Sequence, residues 1–254
     1  MTSSQSPLLV VRDLHKSYGA TDVLRGVEFS LERGETLVVL GRSGSGKSVT
    51  LRQINGLEKP ERGSVVFDGT EVTELSEREL VPVRKRMSML FQGGALFDSM
   101  TVLENIAFPL REHTDFDAER IAAVVRTNLD RVRLGAIEEA YPADLSGGMR
   151  KRVALARSLA LDPELMLYDE PTTGLDPVTG AAIGELILSA QRTIGTSAVV
   201  VTHDLPLART VAQRIAFLEQ GRFRFLGTWD EADASNDDTL RSFLEGRPEM
   251  DDAA

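Results

Sequence analysis

Two hydrophobic rhythms alternate along the chain, and each change of rhythm predicts an element. Thr36-Leu37-Val38-Val39-Leu40, the run LMLYDE at 165–170 and the stretch Ala198 to Thr202 are short and uninterrupted, as strands buried on both faces are. Residues 8–31 read as strands: LLVVRDLHKSYG comes first, then Val27, Phe29 and Leu31 alternate with Glu28 and Ser30, which gives one solvated face. VTLRQINGL, from Val49, places Leu51, Ile54 and Leu57 at helical spacing with Gly56 near the stop. KPERGSVVFDG reads as turn, strand and turn, and RMSMLF (86–91) as a strand ending at Gln92-Gly93-Gly94.

From about 101 to 161 the period becomes helical. Thr101 and Glu104 form a capping box for VLENIAF, a helix that Pro109 is expected to limit. DAERIAAVVRTNLDRV carries Ile121, Val124, Val125, Leu129 and Val132 on one face. Residues 147–161 are predicted helical, opened by Ser146 and closed before Asp162-Pro163. Asp176 as N-cap and Pro177 in the first helical position predict a helix over 177–194. A short helix over 205–213 and a hairpin at Glu219-Gln220-Gly221-Arg222 complete the pattern. The expected class is α/β: a β-rich start, an α/β core, a helical insertion near 95–160 and an α/β return.

Composition narrows this only a little. At 254 residues, 42% apolar and 27% charged, the chain reads as a soluble globular protein with ample core. No apolar run reaches the span of a bilayer, and MTSSQSPLL has neither a basic n-region nor an apolar h-region, so a cytoplasmic location is expected. With no cysteine, disulfide and thiolate chemistry are excluded. The net charge of −10 is uneven: residues 230–254 hold nine Asp/Glu against two Arg. That balance is a poor footprint for nucleic acid, and the acidic end at 229–254 reads as a solvated tail.

The chemistry is expected to centre on GRSGSGKS, Gly41 to Ser48, a G-x-x-x-x-G-K-[ST] pattern between a strand and a helix. Gly41, Gly44 and Gly46 let successive N–H groups curl into an anion nest, and the helix beginning near Lys47 adds its positive end. Lys47 would neutralise β/γ-phosphate charge and Ser48 would hold Mg²⁺. Asp169, at a strand end, is where such a fold places a second Mg²⁺ ligand, and Glu170 is placed to activate water; two acids opening a solvated loop is the plain alternative. Ser146, Gly147 and Gly148 in LSGGM read as a second phosphate device or as a turn. His203 follows a strand, within reach of a γ-phosphate through Nε2 or merely structural. Tyr18 reads equally as turn anchor and ligand contact.

Tyr18, GRSGSGKS, Gln92, LSGGM, LMLYDE, Thr173-Gly174-Leu175-Asp176 and His203 occur in the order and spacing of ABC-transporter nucleotide-binding subunits, which the chain resembles over roughly 8–228. The resemblance implies a P-loop NTPase: a RecA-like core, an antiparallel β subdomain and an α-helical subdomain at about 95–160. It implies ATP and Mg²⁺ as cofactors, Tyr18 stacked on adenine, and ATP contacts extending to Arg42, Ser43, Ser45 and Val49. Gln92 would join Ser48 and Asp169 at the metal and link the γ-phosphate to a permease. Glu170 would be the catalytic base and His203 a γ-phosphate contact. Ser146, Gly147, Gly148 and Asp176 would act on ATP held by a second copy, which makes a head-to-tail dimer around two ATP.

Residues 86–114, LSGGMRKR and RSFLEGRP further resemble the phospholipid-transporter ATPases of the Mla (maintenance of lipid asymmetry), Mce-linked class. That class implies an integral-membrane permease, an Mce-domain protein, often a STAS-domain partner, and a place on the cytoplasmic face of the inner or plasma membrane. In some members a C-terminal extension reaches the neighbouring ATPase; with a short acidic end after Pro248, that contact is not expected here. Non-transport relatives fit less well. Translation factors of this kind carry two cassettes, and repair proteins split theirs with a coiled coil, whereas 97 residues lie between Ser48 and Ser146 without sustained heptads.

Overall fold

The computed structural model describes residues 6–247. β1 (Leu9–Tyr18) and β2 (Thr21–Leu31) form a hairpin, and β3 (Thr36–Leu40) leads into α1 (Lys47–Ile54). β4 (Arg62–Phe67), β5 (Thr70–Glu71), α2 (Glu77–Arg86) and β6 (Met87–Leu90) follow. The helical stretch contains α3 (Val102–His113), α4 (Ala118–Arg131), a 3₁₀ turn (Pro142–Asp144) and α5 (Gly147–Leu159). Then come β7 (Leu165–Asp169), α6 (Pro177–Ile194), β8 (Ser197–Thr202) and α7 (Leu205–Val211). The hairpin β9 (Arg214–Glu219) and β10 (Arg222–Gly227) precedes α8 (Trp229–Asp233) and α9 (Asp238–Leu244).

Two sheets organise these elements. An antiparallel sheet runs β2-β1-β4-β5, and a larger one runs β10-β9-β3-β8-β7-β6, parallel except for β10 at its edge. The central strands are covered on both sides, which explains their unbroken apolar runs. Leu37 and Val39 of β3 face one core with α1 and the antiparallel sheet; Val38 and Leu40 face the other with α3, α4, α5 and α6. Pairing of Leu40 with Thr202, Asp169 with Val201 and Leu90 with Tyr168 brings the carboxyl ends of four strands level.

Three readings need correction or completion. The helix that Pro109 was to limit continues to His113. An interior proline costs a helix about 3 kcal/mol, but Ile106, Ala107 and Leu110 on either side are buried and their burial is worth about as much. α2 went unread, because Pro82 and a mostly charged sequence hide it. Its signal was the S-x-x-E at Ser76, where the Glu79 carboxylate accepts from the Ser76 amide and hydroxyl (2.9 and 2.6 Å).

The acidic end is not simply a solvated tail. Residues 229–244 carry α8 and α9, and Ala232 and Leu240 are fully buried. Asp233 accepts two bonds from Arg209 (2.8 and 2.6 Å) and Asp237 one from Arg224 (2.6 Å). The Arg209 guanidinium also lies 3.8 Å from the Trp229 ring centre, and Phe243 packs on Phe217 at 4.9 Å. Charge counting misread the segment because these acids neutralise arginines of the body. Residues 248–254 lie outside the described part.

Tyr168 is fully buried with no partner for Oη among the described residues. Burial pushes its phenol up. Such a hydroxyl is costly, so Tyr168→Phe is expected to stabilise the chain by about 1 kcal/mol. Denaturant melts of the purified protein check this; a loss of stability of that size would mean the hydroxyl is bonded after all.

Candidate functional site

The level strand ends deliver the chemistry to one place. Immediately after β3 the chain turns at Gly41, where a Cβ would sit 2.5 Å from the Leu218 carbonyl and 2.7 Å from Ser45 Oγ, so no other residue fits. Gly46, at φ 103°, caps α1 with its backbone pressed against Leu24 and Val23. Ser43, Gly44, Gly46, Lys47, Ser48 and Val49 line a cavity of about 470 Å³ together with Gln92, Glu170 and His203. Gly41 and Ser45 belong to the same loop without lining the cavity, and Arg42 lines a neighbouring groove with Ser43 and His203.

Every charge in this cavity already has a protein partner. Lys47, 6% exposed, donates to the carbonyls of Gly41 (2.7 Å) and Arg42 (3.0 Å) and lies 3.4 Å from Glu170 Oε1. Glu170 sits in the left-handed region at φ 46°, its amide bonded to Val201 O at 2.9 Å. That conformation is unfavourable for a side-chain-bearing residue. It turns the carboxylate inward, where Oε2 accepts from Thr202 Oγ1 (3.2 Å) and lies 2.9 Å from His203 Nδ1. With Nδ1 committed to Glu170, Nε2 is the His203 nitrogen left for a ligand.

Ser48 donates to Asp169 Oδ1 at 2.7 Å. Burial pushes the Asp169 carboxyl up; the Ser48 bond opposes that, and the Glu170 charge adds to it. No group of three or more His, Cys, Asp or Glu able to hold a metal occurs among the described residues. A hydroxyl and a carboxylate in contact nevertheless suit Mg²⁺, which takes one or two protein oxygens and completes its shell from phosphates and water.

The other expected residues lie elsewhere. Ser146 caps α5, accepting from the Met149 amide at 3.2 Å, and with Gly147, Gly148 and Asp176 lines a second cavity of about 350 Å³. The two cavities share no lining residue. Asp176 caps α6 through bonds from the Val178 and Thr179 amides, both 3.0 Å, and the Thr179 hydroxyl holds its carboxyl below the usual range. Tyr18 ends β1 beside the turn at Gly19 and does not line the first cavity, although Val23 of the same hairpin does. Its hydroxyl donates to Glu58, and burial together with that carboxylate pushes the phenol up, so it remains a donor.

Sequence reasoning passed over several residues here. Arg52 lines the cavity four residues beyond Ser48, a spacing that puts both on one face of α1. Lys151 of α5 is buried and donates to the Gln92 carbonyl, while Arg157 donates to Ala95 O (2.8 Å) and Gly94 O (2.9 Å). Burial lowers both cations, with Asp169 opposing it at Lys151. The loop carrying Gln92 is thus clasped by the helix that Ser146 caps. A string of basic residues after LSGGM was the available signal, and it reads equally as a solvated helix face.

Among known proteins, the family model described as ABC transporter matches residues 24–173. The chain is 43% identical over 237 residues to the probable ribonucleotide transport ATP-binding protein Mkl of Mycobacterium leprae, covering 93% of this chain and 68% of that protein. Mkl proteins are longer, and the chain spans about two thirds of their length. It is 38% identical over 246 residues to the intermembrane phospholipid transport system ATP-binding protein MlaF of Escherichia coli K12, covering 97% of this chain and 91% of MlaF. The dimeric ATP-binding cassette MJ0796 in a post-hydrolysis state with ADP and Pi superposes with TM-score 0.81 at 32% identity, over 87% of this chain and 98% of the cassette.

The raised Asp169 carboxyl has a consequence for the nucleotide-free protein. A group that holds its proton more tightly folded than unfolded contributes stability that is complete below the ordinary carboxylate pKa. That contribution is lost as pH rises through the folded value. Ionised Asp169 therefore costs stability at pH 7, and Asp169→Asn is expected to raise the thermal midpoint there, with the gain shrinking toward pH 4. An equal or lower midpoint at pH 7 would contradict the assignment.

Proposed function

The chain belongs to the ATP-binding subunits of ABC transporters, and within that family we propose that it hydrolyses MgATP to drive phospholipid between membranes through an integral-membrane permease. The observation behind the hydrolytic reading is the position of Glu170: a buried carboxylate, forced inward by its backbone, beside the phosphate-loop lysine and His203.

An entering triphosphate meets the amides of the glycine loop and the N-terminus of α1. Lys47 gives up its loop carbonyls and Glu170 for phosphate oxygens, which leaves Glu170 Oε1 open to a water. Thr202 and His203 hold Oε2, so the carboxylate keeps its aim while it takes the water's proton. Nε2 of His203 then faces the terminal phosphate. Mg²⁺, when bound, neutralises charge across the phosphates, and Ser48, Asp169 and Gln92 are the residues that would hold it. Tyr18 is read as the platform for adenine.

The cavity at Ser146 offers a helix N-terminus and two glycines, with Arg152 and Asp176 beside them but no lysine. We read it, with Asp176, as the half-site that closes over nucleotide held by a second copy. The loop at 92–95, clasped by α5, would pass that closure to the permease.

Phospholipid as cargo rests on end-to-end correspondence: MlaF and this chain match over nearly the whole of both. An Mce-domain protein and a STAS-domain protein belong to the same reading, as does a place on the cytoplasmic face of the membrane. No helix among the described residues is long and apolar enough to cross a membrane. A second reading, an ATPase for another cargo, is favoured by the higher identity to Mkl, whose name gives a ribonucleotide.

The permease complex that co-purifies with the tagged chain, reconstituted in vesicles, tests both levels. Phospholipid transfer that depends on ATP is expected, and Glu170→Gln should lower hydrolysis by about 10²-fold or more while ATP still binds. ATP-dependent movement of a ribonucleotide without lipid would replace the cargo, and near-normal hydrolysis by Glu170→Gln would remove the base.

A further inference from the structure

Tyr18 and the phosphate cavity are joined through one carboxylate that the reading above does not use. Glu58 follows α1 and is tied back to it by its amide, which donates to Arg52 O at 3.1 Å. Its Oε2 accepts from the Tyr18 hydroxyl, and its Oε1 lies 3.3 Å from Arg52 Nη1. Arg52 in turn lines the cavity on the same helix face as Ser48. Lys16 Nζ stands over the Tyr18 ring, 5.5 Å from its centroid, and is anchored by donating to Lys59 O at 3.2 Å.

We propose that Glu58 is a positioning residue for the base end of the nucleotide, locking the Tyr18 ring to the helix that carries the phosphate loop. The inference rests on Tyr18 serving as the adenine platform. The physical need is plain. Tyr18 ends a hairpin strand beside a left-handed glycine (Gly19, φ 60°) and is 44% exposed, so neighbouring side chains do little to fix its rotamer. Ordering such a ring only when ligand arrives costs roughly 2- to 10-fold in affinity. A carboxylate gripping the hydroxyl orders it beforehand. Lys16 covers one ring face, which leaves the opposite face for a base. Because the same carboxylate grips Arg52, the platform is tied to the helix that carries Ser48.

The test measures affinity for ATP and for inorganic tripolyphosphate by calorimetry, with steady-state KM and kcat, on the full chain. Glu58→Leu and Tyr18→Phe should each raise Kd and KM for ATP about 3- to 10-fold with kcat nearly unchanged. Their double variant should be no worse than either alone, and Glu58→Gln, which still accepts from the hydroxyl, should restore most of the affinity. Tripolyphosphate has no base, so its binding should not respond to Glu58→Leu. Equal weakening of tripolyphosphate, or additive losses in the double variant, would make Glu58 a support of α1 only and overturn the proposal. Tyr18→Ala separates the two levels. If it weakens ATP while Glu58→Leu and Tyr18→Phe do not, the platform stands and the role of Glu58 falls; if Tyr18→Ala is silent, the platform itself falls and the proposal with it.

Discussion

The rest of the structure depends on the register of parallel strands. β3, β6, β7 and β8 end level, so the residues that follow them converge without any long-range side-chain recognition: Gly41 after Leu40, Glu170 after Asp169, His203 after Thr202 and Gln92 two beyond Leu90. A slip of one residue in a strand buried on both faces would exchange its two cores and move the residue that follows it by about 3 Å. Packing therefore fixes the site as firmly as it fixes the fold. The unbroken Val and Leu runs that specify the sheet thereby specify the chemistry.

Electrostatics inside the site follow from that convergence. Lys47, Glu170 and Asp169 are all buried, and each would be expensive if unpaired. Lys47 pairs with Glu170 and the loop carbonyls, and Asp169 with Ser48. On the proposed reading a triphosphate would replace those bonds with ones to its own oxygens, so that binding and release would exchange partners rather than expose charge. The left-handed backbone at Glu170 belongs to the same economy. Its strain is held by the Val201 bond and turns the carboxylate into the site.

Much of this was legible in the sequence because it is local. The glycine spacing of 41–48, the capping box at Thr101, and Asp176 followed by Pro177 each state their geometry within a few residues, and the structure carries all three. What escaped notice depends on distant partners. Pro109 continues a helix because apolar neighbours hold the next turn down. Acids at 233 and 237 order a segment because Arg209 and Arg224 await them. Lys151 and Glu58 look like surface charges until the fold brings Gln92 and Tyr18 to them. The separation of Ser146 from the phosphate loop was stated in advance only through family resemblance; geometry supplies two cavities with no common wall.

A chain whose two phosphate devices face different cavities calls for a second copy, and that claim can be tested directly. The protein contains no cysteine, so thiols introduced as Ser43→Cys in one copy and Ser146→Cys in another report only on each other. In a Glu170→Gln background with MgATP, mixing the two is expected to give a cross-linked species of two chains that neither variant forms alone and that disappears without nucleotide. A chain bearing both substitutions that cross-links within itself as a monomer, or a mixture that never cross-links, would contradict the account.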